Sequence, residues 1–128
     1  MMIEEYMYIE LKSGYADDGP AWIGRVKKSK SGRTLYFNNH AFLRFNGGYA
    51  NFYDVENGDK YWISGMKKDM CNRHWAGHGK IVIDKRIVSE YLKLAQSESL
   101  NPNDFESADI ADVFPVERIT KYLNEKKE

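Results

Sequence analysis

The sequence predicts an α+β domain: a small curled antiparallel β-sheet or barrel of about six strands over residues 3–84, followed by two C-terminal helices at about 85–96 and 115–125. Three observations predict it. Apolar residues recur with a period of two as far as Asp84 and with a period near that of a helix beyond it. Glycine-, asparagine- and serine-rich turns interrupt the first part at short intervals, so that successive strands pair as hairpins. A composition of 42% hydrophobic and 14% aromatic residues in 128 belongs to a packed single domain rather than to a disordered chain.

In "YMYIELK" the residues Met7, Ile9 and Leu11 share one face and Tyr6, Tyr8 and Glu10 the other, the alternation of a half-buried strand. "AWIGRVK" repeats it, with Trp22, Gly24 and Val26 opposite Ile23, Arg25 and Lys27. "TLYFN" follows the turn "KSKSGR" as its hairpin partner. "YANFYDV" and "KYWISGM" meet across Glu56-Asn57-Gly58-Asp59, where Asn-Gly supplies positive φ. "KIVID" is a short apolar strand that closes the β region. Gly24, Gly47, Gly48 and Gly65 allow the bends that a curling sheet needs. After Asp84, a residue able to cap a helix, Ile87, Val88, Tyr91, Leu92 and Ala95 form one apolar stripe. "SESLNPNDFESAD" reads as part of an acidic loop spanning 97–114, because its Ser, Asn and Asp side chains compete for their own backbone. The last helix begins at Pro115 and turns Val116, Ile119 and Leu123 inward.

Charge is sorted along the chain although the net charge is zero. Residues 25–44 hold Arg25, Lys27, Lys28, Lys30, Arg33 and Arg44 and no acid, whereas residues 98–117 hold Glu98, Asp104, Glu106, Asp109, Asp112 and Glu117 and no base. Two readings follow: complementary segments folded against each other, or two faces that steer charged partners. The single Cys71 excludes an internal disulfide, no leader opens the chain, and no apolar run reaches the roughly 18 residues of a membrane helix, so a cytoplasmic protein is expected.

The densest cluster of reactive side chains is "CNRHWAGHGK", residues 71–80. Cys71, His74 and His78 stand at C-x2-H-x3-H, a spacing that can meet one zinc ion, with Asp69 or water as fourth ligand. Against it stands ordinary packing, with Trp75 in the core, Gly77 and Gly79 in a turn and the histidines solvated. A third reading is recognition without metal. Arg73, His74, Trp75, His78 and Lys80, with Lys67, Lys68 and the basic Arg25, Lys27 and Arg33, combine cations with a stacking ring, as nucleic-acid-binding barrels do. In "SGYADDGPAW" the adjacent Asp17 and Asp18 precede Gly19-Pro20 and read as turn acids rather than an acid/base pair. No nucleophile elbow, phosphate-binding glycine loop or H-E-x-x-H motif is present, so the sequence holds no catalytic set and calls for no cofactor.

The stretches "YIELKSGYADDGPAWIGRVKKSKSGRTLYFN" and "YWISGMKKDMCNRHWAGHGKIVID" resemble a family of small bacterial proteins with no known activity, over roughly residues 6–93. Some members carry the label deoxyxylulose phosphate synthase. The chain does not fit it: that enzyme's Gly-Asp-Gly motif for magnesium and diphosphate has no counterpart in Asp17-Asp18-Gly19 or Asn57-Gly58-Asp59, and 128 residues cannot build its domains. The resemblance implies a fold and a bacterial origin, and assigns no catalytic residue. The functional expectation is therefore a non-enzymatic protein-interaction module, an immunity- or antitoxin-like inhibitor of a partner protein. Its acidic face, Glu98, Asp104, Glu106, Asp109 and Asp112, would meet a basic partner such as a nuclease toxin. A nucleic-acid-binding small barrel is the alternative, and a metal-binding protein using Cys71, His74 and His78 the third reading.

Overall fold

Alternating side chains need two surfaces to bury against, and a six-stranded sheet of this chain finds the first by closing on itself. The computed structural model describes residues 3–15, 18–67, 72, 73 and 77–127, with backbone only for residues 3, 4 and 123–127. In chain order the elements are β1 (Ile3–Leu11), β2 (Ala21–Lys28), β3 (Thr34–Phe37), β4 (His40–Arg44), β5 (Phe52–Asp54), β6 (Lys60–Gly65), β7 (Ile81–Asp84), a 3-10 turn (Lys85–Ile87), α1 (Val88–Ala95), β8 (Phe105–Ala108) and α2 (Val116–Lys127). The strands run in the order β1-β6-β5-β4-β3-β2, and antiparallel pairing of β1 with β2, from Ile3↔Lys28 to Glu10↔Ala21, closes a six-stranded antiparallel barrel. No helix among the described residues is long and apolar enough to cross a membrane.

The predicted inward rows fill the barrel. Met7, Ile9, Val26, Leu35, Phe37, Phe42, Phe52, Tyr61 and Ile63 form its core, with Leu11, Trp22 and Ile110 packed against them. Phe42 meets Tyr61 edge-on at 4.7 Å between centroids, the arrangement that ring quadrupoles favour. Gly24 is required here for space: a Cβ would lie 2.6 Å from the Phe37 ring.

β2 is where the barrel forks. Lys27 and Lys28 pair with Tyr36 and Leu35 of β3, whereas Ala21, Trp22 and Ile23 pair in parallel with Ile81, Val82 and Ile83 of β7. β8 then adds in parallel to β7, from Ile81↔Phe105 to Asp84↔Ala108. These two strands and α1 cover the outer face of β1 and β2, so Tyr8, Ile23, Ile83, Ile87, Tyr91 and Phe105 make a second core. Tyr8 and Glu10, expected on the open face of a half-buried strand, are both buried as a result. α2 lays Ile119 on Tyr36, Ala41 and Val55 to make a third.

The local signals held in places and shifted in others. Asp84 caps as expected, accepting from the Arg86 N–H at the start of the 3-10 turn. Two strands come in addition to those read from the sequence: β4, and β8 inside the segment read as a loop. "KIVID" pairs in parallel. The tight hairpin turn with positive φ at both central residues is Asn38-Asn39 (φ 45 and 69), between the paired Phe37 and His40. At the predicted Asn57-Gly58 turn only Gly58 has positive φ (79°), because the loop is longer, with Asp54 bonding Asp59 and Gly58 backbone groups.

Candidate functional site: the two mouths of the barrel

The inward rows end at two mouths, and the end residues differ in kind. At one, the register brings together residues far apart in sequence. Lys28 pairs with Ile3 on one side and with Leu35 on the other. Thr34↔Leu43 carries Arg33 alongside Arg44, and Met7↔Gly65 carries Glu5 alongside Lys67. Glu5, Lys28 and Arg44 stand on inward rows of their strands, Arg33 directly precedes β3 and Lys67 follows β6 by two residues, so Lys28, Arg33, Arg44 and Lys67 lie at this end of the barrel with Glu5 as the acid among them. Lys28 pairs with Glu5 at 3.1 Å. Arg44 lies with its guanidinium carbon 4.8 Å above the Phe52 ring. No described carboxylate is within ion-pairing distance of Arg33, Arg44, Lys67 or the neighbouring Lys30.

The loop from β4 to β5 lies at the same mouth and presents Tyr49, 59% exposed. Gly48 turns with φ +68 so that the Tyr49 N–H reaches the Gly47 carbonyl at 2.7 Å. The Asn51 side chain anchors the loop, donating to the Ile63 carbonyl and accepting from the Ile63 N–H, each at 2.8 Å. At Gly65 a Cβ would meet nothing within 4 Å, so the rim is open there.

The opposite mouth is closed by its own chemistry. His40 Nδ1 lies 2.9 Å from Oδ2 of the buried Asp54, whose Oδ1 accepts from the Glu56 N–H. The hydrogen bond to Asp54 raises the His40 pKa above the ordinary histidine range. Burial pulls the Asp54 carboxyl upward, but the bonds from His40 and the Glu56 backbone outweigh it and hold it low. Burial, with the charges of Asp54 and Asp59, pushes Tyr61 up to about 12. Arg118 of α2 locks the exterior, forking to both Glu56 oxygens and to Oδ1 and the carbonyl oxygen of Asn39.

The segment 67–80 divides differently from its sequence reading. Cys71, His74 and Trp75, like Lys68, Asp69 and Asp17, lie outside the described residues, and with them the predicted zinc cluster apart from His78. Among the described residues no group of three or more His, Cys, Asp or Glu side chains is gathered to hold a metal. Asn72 and Arg73 are anchors. Asn72 accepts from the Lys67 N–H and donates to the Tyr91 hydroxyl at 2.8 Å. Arg73 donates to the Gly19 carbonyl at 2.9 Å and stands 3.8 Å from Glu10. Glu10 is buried with Lys12 at 2.8 Å and accepts from the Tyr8 hydroxyl. A carboxylate in that setting holds two cations inside, and removing it would cost about 3–5 kcal/mol. His78 and Lys80 are exposed; the Asp18 carboxylate accepts from the His78 N–H at 2.6 Å.

The two sorted charge segments meet at a seam. Arg25 donates to Asp112 at 2.8 Å, and Arg86 forks between Asp112 and Asp84, holding both carboxyls below the usual range. Lys27 lies 4.8 Å over the Phe114 ring. Glu98, Asp104, Glu106 and Asp109 remain exposed, with no ion pair among the described residues; Glu106 lies on the outermost strand β8, and Asp104 and Asp109 flank it. Of the predicted interaction residues, then, Arg33, His78 and Lys80 face solvent, Arg25 and Arg73 are engaged within the fold, and Arg33 and Lys67 belong to the basic mouth. Lys28 and Arg44, named in the basic segment 25–44, and Tyr49 join them through register, which a local pattern does not carry. The His40–Asp54 pair was missed for the same reason.

Scanned against family models, curated proteins and solved structures, the chain matches none.

Proposed function

We propose that the protein is a non-enzymatic interaction module that binds a basic face of a partner protein through its acidic side, in the manner of an immunity or antitoxin protein. The supporting observation is that, among the described residues, the acidic segment is neutralised only where it meets Arg25 and Arg86. Asp112 is taken up by Arg25 and Arg86, while Glu98 stays exposed, as do Glu106 on the ordered edge strand β8 and Asp104 and Asp109 on either side of it. A carboxylate held on a strand and two at its ends keep a set spacing, which favours a fast, salt-dependent encounter with a basic surface. The open edge adds unpaired backbone groups, and its charges discourage pairing with a second copy.

Affinity capture from the source cells with the intact chain, beside Glu106→Lys/Asp109→Lys, tests the reading. The expected result is a stoichiometric basic protein that the charge-reversed variant does not retain and that high salt releases. A partner retained equally by both baits would overturn the acidic-face reading, as would recovery of no stoichiometric protein.

A further inference from the structure

We propose that the basic mouth is a binding site for single-stranded nucleic acid, with its phosphates along the rim and a base stacked on Tyr49. The site uses none of the acidic residues of β8, so it stands or falls independently of the reading above.

Three features favour this ligand. First, the cations are spread around the rim. They come from or beside β6, β2, β3 and β4, with Glu5 on β1 in the middle. Neighbouring strands are about 4.8 Å apart, so the arc is longer than one phosphate group and suits a chain of them. Second, Arg33 and Arg44 occupy adjacent register positions with no described acid between them. Like charges placed opposite each other across strands destabilise a sheet, and a polyanion lying over both relieves that repulsion while releasing its own counterions. Third, the exposed ring is held out by a constrained turn. Tyr49 follows Gly48 in its positive-φ conformation, and the loop is pinned through Asn51. A preorganised ring stacks on any base with little ordering cost. An acidic protein surface would use the cations but has no need of the ring.

Fluorescence anisotropy with a labelled oligothymidylate tests this, with polyglutamate as competitor. The intact chain is expected to bind with an affinity that falls as salt rises, at a log–log slope of about −0.7 per phosphate neutralised. Arg33→Glu/Arg44→Glu is expected to abolish binding, and Lys93→Glu on α1, an equal change of net charge per site away from the mouth, to leave most of it. Tyr49→Ala is expected to weaken binding about tenfold, and Tyr49→Phe to restore it. Near-ultraviolet circular dichroism confirms that each variant is folded. Absence of salt-sensitive binding would overturn the proposal. So would competition by polyglutamate at matched charge together with an unchanged Tyr49→Ala, which would make the mouth a general anionic-protein surface.

Discussion

The two mouths of the barrel are built from the same strands and the same inward rows, yet among the described residues one is closed by paired polar side chains and the other carries cations of which only Lys28 has a paired acid. At the closed mouth the polar groups pair with one another: Asp54 serves His40 and the Glu56 N–H, and Arg118 joins both turns to α2. At the basic mouth Lys28 has Glu5, and Arg33, Arg44 and Lys67 have no described acid. The difference separates stability from binding. A satisfied polar cluster earns its place by holding the fold together, whereas cations with no partner acid among the described residues make no such contribution and can meet an anion.

The comparison predicts that substitutions will rank by how far they reach into the shared floor. Phe42 lies in the barrel core shared by the two mouths, touching Tyr61 and stacking on His40. Phe42→Ala should therefore destabilise by about 3–5 kcal/mol in urea denaturation, the cost of a large cavity in a packed core. Equal urea midpoints for variant and parent would mean that the barrel is not filled as described. Asp54→Ala should come next, at about 2 kcal/mol, since it strips a buried acceptor from the Glu56 N–H and from His40. Its loss should exceed that of any single change at the basic rim; the reverse order would erase the distinction between the mouths.

The closed mouth should also respond to pH. The folded-state pKa of His40 is raised, so its protonated pair with Asp54 stabilises fully below the unfolded value of about 6.5 and is lost as pH rises through the folded value. Asp54 is held low, so its contribution is present above about 3.9 and is lost as pH falls through its folded value. The urea-midpoint difference between the parent and His40→Gln should thus be largest near about pH 5–6 and shrink as the solution turns alkaline. A difference that grows on the alkaline side would contradict the protonated pair.

How much of this was legible in the sequence follows from the range of each signal. Strand alternation is local, and Met7, Ile9 and Leu11 or Trp22, Gly24 and Val26 did turn to one core. The Asp84 cap and the stripe of Ile87 and Tyr91 are local too. β4 was hidden because Asn38-Asn39 resembles the end of a strand as much as a two-residue turn. β8 was hidden because its burial rests on Phe105, while Glu106 and Ser107 are exposed. Without β4 no register could place Arg44 beside Arg33. The anchor role of Arg73 depends on Glu10 in β1, far away in the chain, so the composition of residues 71–80 suggested a site where the fold makes two of them clamps.

The smallest expected effect is the sharpest test of the contrast. Arg33→Gln removes a cation from the rim where the neighbouring position is Arg44 and no described carboxylate is paired with either. If the rim contributed to stability as the closed mouth does, the variant would lose on the order of 1 kcal/mol. Because no described carboxylate pairs with it, the substitution should instead leave the urea midpoint unchanged or raise it by a few tenths of a kcal/mol, through relief of cross-strand repulsion. Salt supplies the internal check. Screening weakens repulsion between exposed charges, so any gain measured at low ionic strength should fade as salt is added, whereas the loss from Asp54→Ala, a buried group, should persist. A salt-independent loss at Arg33 would show that this residue has a partner within the fold, and the two mouths would then be alike.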